Sequence, residues 1–230
     1  ILAEYGIPAR TFEDLAVAPD GRLVLVDRSV RRTVLVVDPT QNTQEEHSVI
    51  GPWTPRERTG LITSVLVQPD GVWLETNHRF SVRVLGTDLA PCTHVVRMGR
   101  PEWLGAGSYT AQLSGSHAIS IQRQDDRGNT MQTISVISDA PTGLIRDIIP
   151  TADGGLWVFY ETEASQSFPT ATLWGEHFDI NGLSLEKRRA SLQPSPFYAH
   201  RTVAVDAQGH ALHMTHGTHG LHVDAMEVIQ

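Results

Sequence analysis

The sequence contains little cysteine, little lysine and no long apolar run. Its one cysteine, Cys92, excludes an internal disulfide and a zinc site built from several cysteines, and it lacks the flanking pattern of a catalytic thiol. No stretch approaches the roughly 20 apolar residues that a membrane-spanning helix needs, and no basic leader precedes a shorter apolar run. We therefore expect a soluble chain with no membrane partner, in which Cys92 is a small half-buried side chain.

Positive charge is scarce as well. The formal net charge is −8, and Lys187 is the one lysine beside the arginines. A negative mean field repels nucleic acid and anionic membranes, so we expect neither as a partner. The composition, 40% hydrophobic and 19% charged over 230 residues, is that of a chain that buries a core, and we expect one domain and a monomer.

The start of the chain leaves the localisation open. The first residue is Ile1 rather than Met, so a signal peptide, a domain or a tag could have been removed upstream. A sensory or interaction domain of a longer protein is therefore one of the functions that the sequence allows.

Familiar catalytic motifs and helical periodicity are also missing. The sequence has no Gly-x-Ser-x-Gly elbow, no phosphate-binding loop and no His-Glu-x-x-His element. The one stretch that we consider as a helix, residues 185–192, fits an outer strand or a loop equally well. The chain is therefore predicted to be all-β, and no motif supports catalysis.

What the sequence does contain is a repeat. Residues 14–27, 64–77 and 147–160 each consist of an apolar run, an Asp-Gly turn and a second apolar run. Glycine takes the positive φ that a two-residue hairpin turn demands, and aspartate tolerates the position before it, so each copy predicts a β-hairpin. Residues 108–121 and 202–215 are weaker copies. The five turn glycines are Gly21, Gly71, Gly115, Gly154 and Gly209.

The spacing of these hairpins predicts a five-bladed β-propeller. The glycines lie 39 to 55 residues apart, which brackets the roughly 40 to 50 residues of a propeller blade and leaves little room for crossover helices. Residues 32–38 and 47–53 supply a third and a fourth strand to the first blade, and the continuously apolar strand 22–26 is typical of a strand buried on both faces. One propeller domain, 1–230, is predicted, with mostly four-stranded antiparallel blades at about 9–53, 60–101, 104–140, 142–195 and 198–230 plus 1–8.

The two ends of the chain predict how the ring closes. The last blade supplies three strands, the third of them at 221–229, and the chain then ends without a fourth. Residues 3–8 resemble the end of the second blade, residues 96–101. We therefore expect Ile1 to Gly6 to pair as the fourth strand of the last blade, because this pairing hides the edge strands.

The first blade resembles a known superfamily. Residues 18–23 (APDGRL), Val26-Asp27 and residues 32–38 (RTVLVVD) are similar to a blade of the propellers that include NHL repeats, SMP-30/gluconolactonase and streptogramin lyase. The resemblance, clear in one blade and partial elsewhere, implies a ligand site on one face of the ring, in a group that contains binding scaffolds as well as metal-dependent hydrolases and lyases. Gluconolactonase-like members hold a divalent cation with an acidic residue of the first inner strand, where Glu13 or Asp14 stands here.

The predicted fold places a candidate site where the inner strands begin, at the mouth of the central channel. Aligning the hairpins brings five polar residues into register there: Asp14, Ser64, Ser108, Asp147 and Thr202. Such a ring suits a polar or charged small molecule, although a wet channel mouth gives the same composition. Charged loop residues such as Glu161 could reach the same place, but solvated loop charge is their expected role. The predicted ligand-binding residues are Glu13, Asp14, Ser64, His78, Tyr109, Arg146, Asp147 and Arg201.

A second candidate is a series of histidines near the C-terminus. Its members, three residues apart, are His210, His213, His216, His219 and His222. If residues 217–220 form a turn, His216 pairs with Leu221 and His213 comes opposite Asp224. A carboxylate beside an imidazole fixes its tautomer and raises its basicity, although exposed edge histidines would show the same pattern. The catalytic candidates are His200, His213 and Asp224, and the metal candidates are His216 and His219.

Two functions compete at the predicted mouth. The leading hypothesis is a binding propeller that recognises a polar small molecule or a partner protein, because the repeat predicts the fold and no catalytic motif is present. The alternative is a lyase or hydrolase that uses a histidine base, arginines at a developing oxyanion and acids that hold a metal. The cofactor is open, and a divalent metal is the one class that these residues suggest.

Overall fold

The computed structural model describes residues 12–27, 33–48, 62–76, 80–103, 105–164, 170–192, 202–206, 208–217 and 220–229. Every regular element in these ranges is a β-strand. None of these residues belongs to a helix long and apolar enough to cross a membrane. The predicted all-β class is confirmed.

The first two blades lie in one compact unit, residues 1–98. Each is an antiparallel meander in which strands adjacent in sequence are adjacent in the sheet. Blade 1 consists of β1 (Phe12–Val17), β2 (Leu23–Asp27), β3 (Thr33–Asp38) and β4 (Thr43–Ser48). Blade 2 consists of β5 (Ile62–Gln68), β6 (Gly71–Thr76), β7 (Phe80–Leu85) and β8 (Pro91–Met98).

The other three blades lie in a second compact unit, residues 99–230. Blade 3 consists of β9 (Arg100–Pro101), β10 (Ser108–Gly115), β11 (Ala118–Gln124) and β12 (Thr130–Ile137). Blade 4 consists of β13 (Thr142–Pro150), β14 (Leu156–Thr162), β15 (Thr172–Phe178), β16 (Ser184–Ser191) and β20 (Glu227–Val228). Blade 5 consists of β17 (Val203–Val205), β18 (Ala211–Gly217) and β19 (Gly220–Ala225). With five antiparallel blades in chain order, the predicted five-bladed β-propeller class is confirmed.

The middle strands of blade 1 are buried on both faces. Val24 and Val26 of β2 join a cluster that includes apolar residues of blade 2, whereas Leu25 of the same strand packs with Leu35 of β3 in a separate cluster. Alternate side chains of a strand point to opposite faces, so burial on both requires apolar residues at every position. This explains the continuous apolar run that the sequence shows here.

Strand β14 of blade 4 is buried in the same way. Leu156, Val158 and Tyr160 belong to a cluster shared with blade 3, and Trp157 and Phe159 belong to one shared with blade 5. All five side chains are at most 1% exposed. The strand therefore holds together the three sheets of its unit.

The hairpin loops repeat one backbone pattern. In the loop from β1 to β2, the N–H of Ala18 donates to the carbonyl oxygen of Arg22 at 2.8 Å, and the N–H of Gly21 donates to that of Ala18 at 2.9 Å. Gly21 has a φ of 87°, which glycine adopts without the steric cost that a Cβ brings. The same two hydrogen bonds close the loops that begin at Thr151 and Asp206. Such loops are longer than the two-residue turns that we predicted.

Several of these loops hold a carboxylate that accepts backbone hydrogen bonds. Asp125, Asp179 and Asp206 each accept from the N–H groups two and four residues further on. Hydrogen bonds from Asn129 lower the pKa of Asp125. The backbone N–H of Leu183 does the same chiefly for Asp179, and that of His210 chiefly for Asp206. The turns are therefore stabilised by ionised carboxylates.

Two turn glycines differ from the prediction. The turn of blade 2 consists of Pro69 and Asp70, and Gly71 begins the next strand with a φ of 130°. A Cβ on Gly71 would lie 2.1 Å from the carbonyl oxygen of Leu85, so glycine is required there by close backbone approach. Gly115 pairs with Ala118 at the end of β10 and does not have a positive φ, so its predicted role in the turn is wrong.

Strand bounds also differ at two places. The fourth strand of blade 1 is Thr43–Ser48 rather than 47–53, and residues 49–61 lie outside the described ranges. Residues 185–192 fall largely in strand β16, as the strand alternative predicted. The predicted strand 221–229 ends at Ala225, and Glu227–Val228 pairs with β16 of blade 4 instead. Closure of the ring by Ile1 to Gly6 concerns residues outside the described ranges and stays a prediction.

Replacing Gly21 and Gly115 by alanine separates backbone conformation from packing. No atom lies within 4 Å of a Cβ added at either position, but only Gly21 has a positive φ. We expect Gly21→Ala to lower the free energy of unfolding by about 1 to 2 kcal/mol, because an L-residue is strained there. Gly115→Ala should be neutral or stabilising by about 0.5 kcal/mol, since it removes entropy from the unfolded chain. Urea unfolding measures both, and equal losses would contradict the assigned backbone conformations.

Candidate functional site

The first long strands of blades 1, 2 and 4 each contain a β-bulge at the same position of the repeat. The pairing of the first hairpin shifts at Glu13 in β1, that of blade 2 at Thr63 in β5, and that of blade 4 at Arg146 in β13. The next residue in each case is one of the polar residues that we placed in register. A bulge turns the local backbone and redirects side chains, and it is frequent beside binding sites. The sequence pattern gives no sign of these bulges.

In the first unit, the predicted site residues form internal contacts. The carboxylate of Asp14 accepts a hydrogen bond from the backbone N–H of Val65 at 2.9 Å, which joins blade 1 to blade 2. Ser64, beside Val65, is buried. The side chain of Glu13 and all of His78 lie outside what the structure describes. Asp14 therefore has a structural role, and its role in ligand binding stays a prediction.

Asp147 of blade 4 forms a buried ion pair. Its Oδ1 lies 2.7 Å from Nη2 of Arg100 in β9, and the side chains are 4% and 7% exposed. The same oxygen accepts a hydrogen bond from the N–H of Ile148 at 2.8 Å. A buried charge is tolerated only when an opposite charge or hydrogen bonds compensate it. The ion pair supplies that compensation and links β13 to β9.

Tyr109 is also engaged inside the second unit. Its side chain is buried in the cluster between blades 3 and 4, and its hydroxyl donates to the carbonyl oxygen of Gly154 at 3.3 Å. Burial, with the nearby charge of Glu102, raises the pKa of Tyr109, so the phenol stays a hydrogen-bond donor at neutral pH.

A cluster of four ionisable residues lies where blade 4 meets blade 5. Arg146 donates from Nε to Oε1 of Glu161, and both side chains are partly exposed. His213 in β18 is 6% exposed, and it pairs across the strands with Asp224 of β19, as predicted. His213 interacts electrostatically with Asp224, Glu161 and Arg146. We call these residues the blade 4/5 cluster.

The pKa of His213 follows from this environment. Burial lowers the pKa and outweighs Asp224 and Glu161, which raise it, while Arg146 lowers it further. The imidazole is therefore neutral at pH 7, with one nitrogen that donates and one that accepts a hydrogen bond. A neutral imidazole beside a fixed guanidinium and carboxylates can bind hydrogen-bond donors as well as acceptors, or take up a proton.

Several predicted site residues lie outside the described ranges. They are His78, His200, Arg201 and His219, and of His216 only the backbone is described, paired with Leu221 as predicted. Among the side chains that the structure does describe, no group of three or more His, Cys, Asp or Glu residues could hold a metal ion. The metal site at His216 and His219 therefore stays a prediction.

Two contacts of the predicted site residues escape sequence reasoning. Glu161 belongs to strand β14 and pairs with Arg146, whereas the sequence suggested a solvated loop charge. Arg100 belongs to the short β9, which follows β8 in the chain and pairs with β10 of blade 3. The predicted hairpin ends at residue 160 whereas β14 ends at Thr162, which hides the first contact. A two-residue strand carries no periodicity that would reveal the second.

Comparison with known proteins gives similarity of structure alone. No protein-family model matches the chain, and no curated protein matches it, so the resemblance to NHL and gluconolactonase-like propellers is not confirmed. The chain is similar to the WD40 β-propeller domain of Doa1, with 10% identity, 98% of this chain and 84% of that chain covered, and a TM-score of 0.46. It is also similar to the PQQ-bound aldose sugar dehydrogenase of Streptomyces coelicolor, with 16% identity, 99% and 63% covered, and a TM-score of 0.33.

Substitution of Asp147 tests the buried ion pair. Asp147→Ala leaves the Arg100 guanidinium buried without its partner, so we expect a loss of about 3 to 5 kcal/mol in the free energy of unfolding. The double variant Arg100→Met/Asp147→Leu removes both charges and should recover most of that loss. Chemical denaturation of the wild type, Asp147→Ala and the double variant measures the free energy of unfolding of each. If Asp147→Ala were as stable as the wild type, the ion pair would not contribute to stability.

The pH dependence of stability tests the environment of His213. Because the folded-state pKa lies below the ordinary value of 6.5, the unfolded chain binds the proton more tightly, and stability is lost as the pH falls through 6.5 toward the folded pKa. We expect His213→Asn to flatten the dependence of the free energy of unfolding between about pH 7.5 and pH 5.5. Urea unfolding at several pH values measures this, and identical slopes in both proteins would contradict the assignment.

Proposed function

We propose that the chain is a binding domain that recognises a polar or charged small molecule through the blade 4/5 cluster. A β-propeller is consistent with a binding or interaction role, and many unrelated functions occur on this fold, so the proposal depends on the cluster itself. Arg146, Glu161 and His213 are the residues that we expect to contact the ligand.

The observation that carries the proposal is the mixture of burial and charge at this place. His213 is almost fully buried, yet charged groups from three other strands surround it. A protein core gains nothing from such an arrangement, because each polar group near apolar packing costs free energy unless it is satisfied. Clusters of this kind are common at functional sites.

The bulge at Arg146 is the second support. It interrupts the pairing of β13 with β14 between Ile145 and Asp147, so Arg146 departs from the regular alternation of the strand. Its side chain is 28% exposed and that of Glu161 17% exposed, so both combine a fixed position with access to solvent. Their ion pair presents a donor and an acceptor side by side, which favours ligands with hydroxyl, amide or carboxylate groups.

A second candidate is a lyase or hydrolase in which His213 is the general base. One observation favours it: His213 is neutral at pH 7 and stands opposite Asp224, the arrangement that an acid–base histidine requires. The same residues serve either function, so the two candidates are separated by turnover rather than by binding.

Ligand screening on matched variants tests the proposal. Thermal denaturation of the wild type with amino acids, sugar acids and nucleosides should find a compound that raises the Tm. Arg146→Gln and His213→Asn should each weaken its binding by about tenfold, the effect of one lost hydrogen bond. Isothermal titration calorimetry gives the affinities.

The control is Arg189→Gln, because Arg189 also forms an ion pair, with Glu227, but on an exposed surface of the same blade. Unchanged affinity in Arg146→Gln and His213→Asn, or an equal loss in Arg189→Gln, would rule out this location. Chemical analysis of the titrated compound decides between the candidates: its consumption by the wild type and not by His213→Asn would establish the enzyme.

A further inference from the structure

An exposed apolar side chain lies beside the charged pair of the blade 4/5 cluster. Leu144 in β13 is 47% exposed, and it is the residue directly opposite Glu161 in the pairing of β13 with β14. Directly opposed residues of an antiparallel pair project from the same face of the sheet. The guanidinium of Arg146 reaches the same Glu161 carboxylate. An apolar surface and an ion pair are therefore side by side on one face of blade 4.

The polar groups of the cluster keep hydrogen-bonding capacity that the described residues do not use. Within the described ranges, Arg146 donates from Nε alone, and the side chains of His213 and Asp224 make no hydrogen bond. None of the cluster residues is among the described side chains with a polar atom buried away from any partner. Arg146 and Glu161 are 28% and 17% exposed, and Asp224 is exposed. The unused groups are therefore open to solvent and to a ligand.

The charges of the cluster favour a ligand that carries both signs. Among the described residues that act on His213, Arg146 is one cation, and Glu161 and Asp224 are two anions. A simple carboxylate on Arg146 would add a third negative charge here, in a chain whose formal net charge is already −8. An ammonium group on the same ligand, beside the exposed Asp224, offsets that repulsion.

We propose that the ligand of the blade 4/5 cluster is a zwitterion with an apolar side group, of the class of the aliphatic α-amino acids; this rests on the proposed function. The Nη groups of Arg146 donate to the ligand carboxylate, Asp224 accepts from the ammonium group, and Leu144 contacts the apolar side group. A guanidinium has five N–H donors in a planar fork, so Arg146 can hold the ligand and Glu161 through different nitrogens. Leu144 and Asp224 thus determine the specificity of the site.

Four related compounds test the proposal on the wild-type protein. Free leucine carries all three groups, whereas isocaproate lacks the ammonium group, isoamylamine lacks the carboxylate, and free glycine lacks the apolar side group. We expect leucine to bind about tenfold more tightly than each of the other three, because each of them loses one contact. Isothermal titration calorimetry measures the four affinities.

Matched variants give the second measurement. Asp224→Asn should weaken leucine binding by about tenfold and leave isocaproate binding unchanged, because isocaproate has no ammonium group. Leu144→Ser should lower the preference for leucine over glycine, since it removes apolar contact alone. The controls are Asp126→Asn and Leu185→Ser, which change an exposed acid and an exposed leucine outside the cluster and should alter neither ratio.

The result also separates the ligand class from the site. The proposal is overturned if leucine does not bind, if isocaproate binds as tightly as leucine, or if the two cluster variants weaken all four compounds alike. If another compound then binds in a manner that Arg146→Gln weakens, the proposed function stands and only the ligand class is wrong. If no compound depends on Arg146, the proposed function fails as well.

Discussion

The burial of strand β14 on two faces is the constraint on which the second unit depends. Leu156, Val158 and Tyr160 pack toward blade 3, and Trp157 and Phe159 pack toward blade 5. A strand with no hydrated face cannot carry an unsatisfied charge, so polar groups are pushed to its ends and to the strands beside it. The positions of Glu161 near the end of β14 and of Arg146 and Asp147 in the neighbouring β13 agree with that exclusion.

The two ion pairs near this strand, Arg100–Asp147 and Arg146–Glu161, differ in how far they are buried and in how easily a ligand could replace one partner. The Arg100–Asp147 pair is buried and accepts a further backbone N–H, so a ligand would have to break a desolvated ion pair to use it. The Arg146–Glu161 pair is partly exposed, and exchanging one of its contacts for a ligand costs less because water already competes for them. Of two neighbouring residues in one strand, Asp147 is therefore the structural one, and Arg146 is the one on which our proposal depends.

Sequence patterns predicted the elements that local chemistry determines. Positive φ at Gly21, Gly154 and Gly209 and the cross-strand pairing of His213 with Asp224 follow from turn geometry and from alternation along a strand. The bulge at Arg146 and the pairing of β9, which contains Arg100, with β10 depend instead on which strands become neighbours. Periodicity carries no information about that choice, so the hairpins were predictable and the contacts that shape the candidate site were not.

The scaffold and the blade 4/5 cluster respond to acid at different pH values. The turn carboxylates of Asp125, Asp179 and Asp206 have lowered pKa values, so their contribution is present above the ordinary carboxyl pKa near 3.8 and is lost only as the pH falls below it. His213 has a lowered pKa as well, but its reference value is 6.5, so its contribution declines from there downward. Between these two values the loops keep their ionised carboxylates, while the contribution of His213 to stability already declines. A moderate fall in pH therefore acts on the cluster before it acts on the turns that hold the blades together.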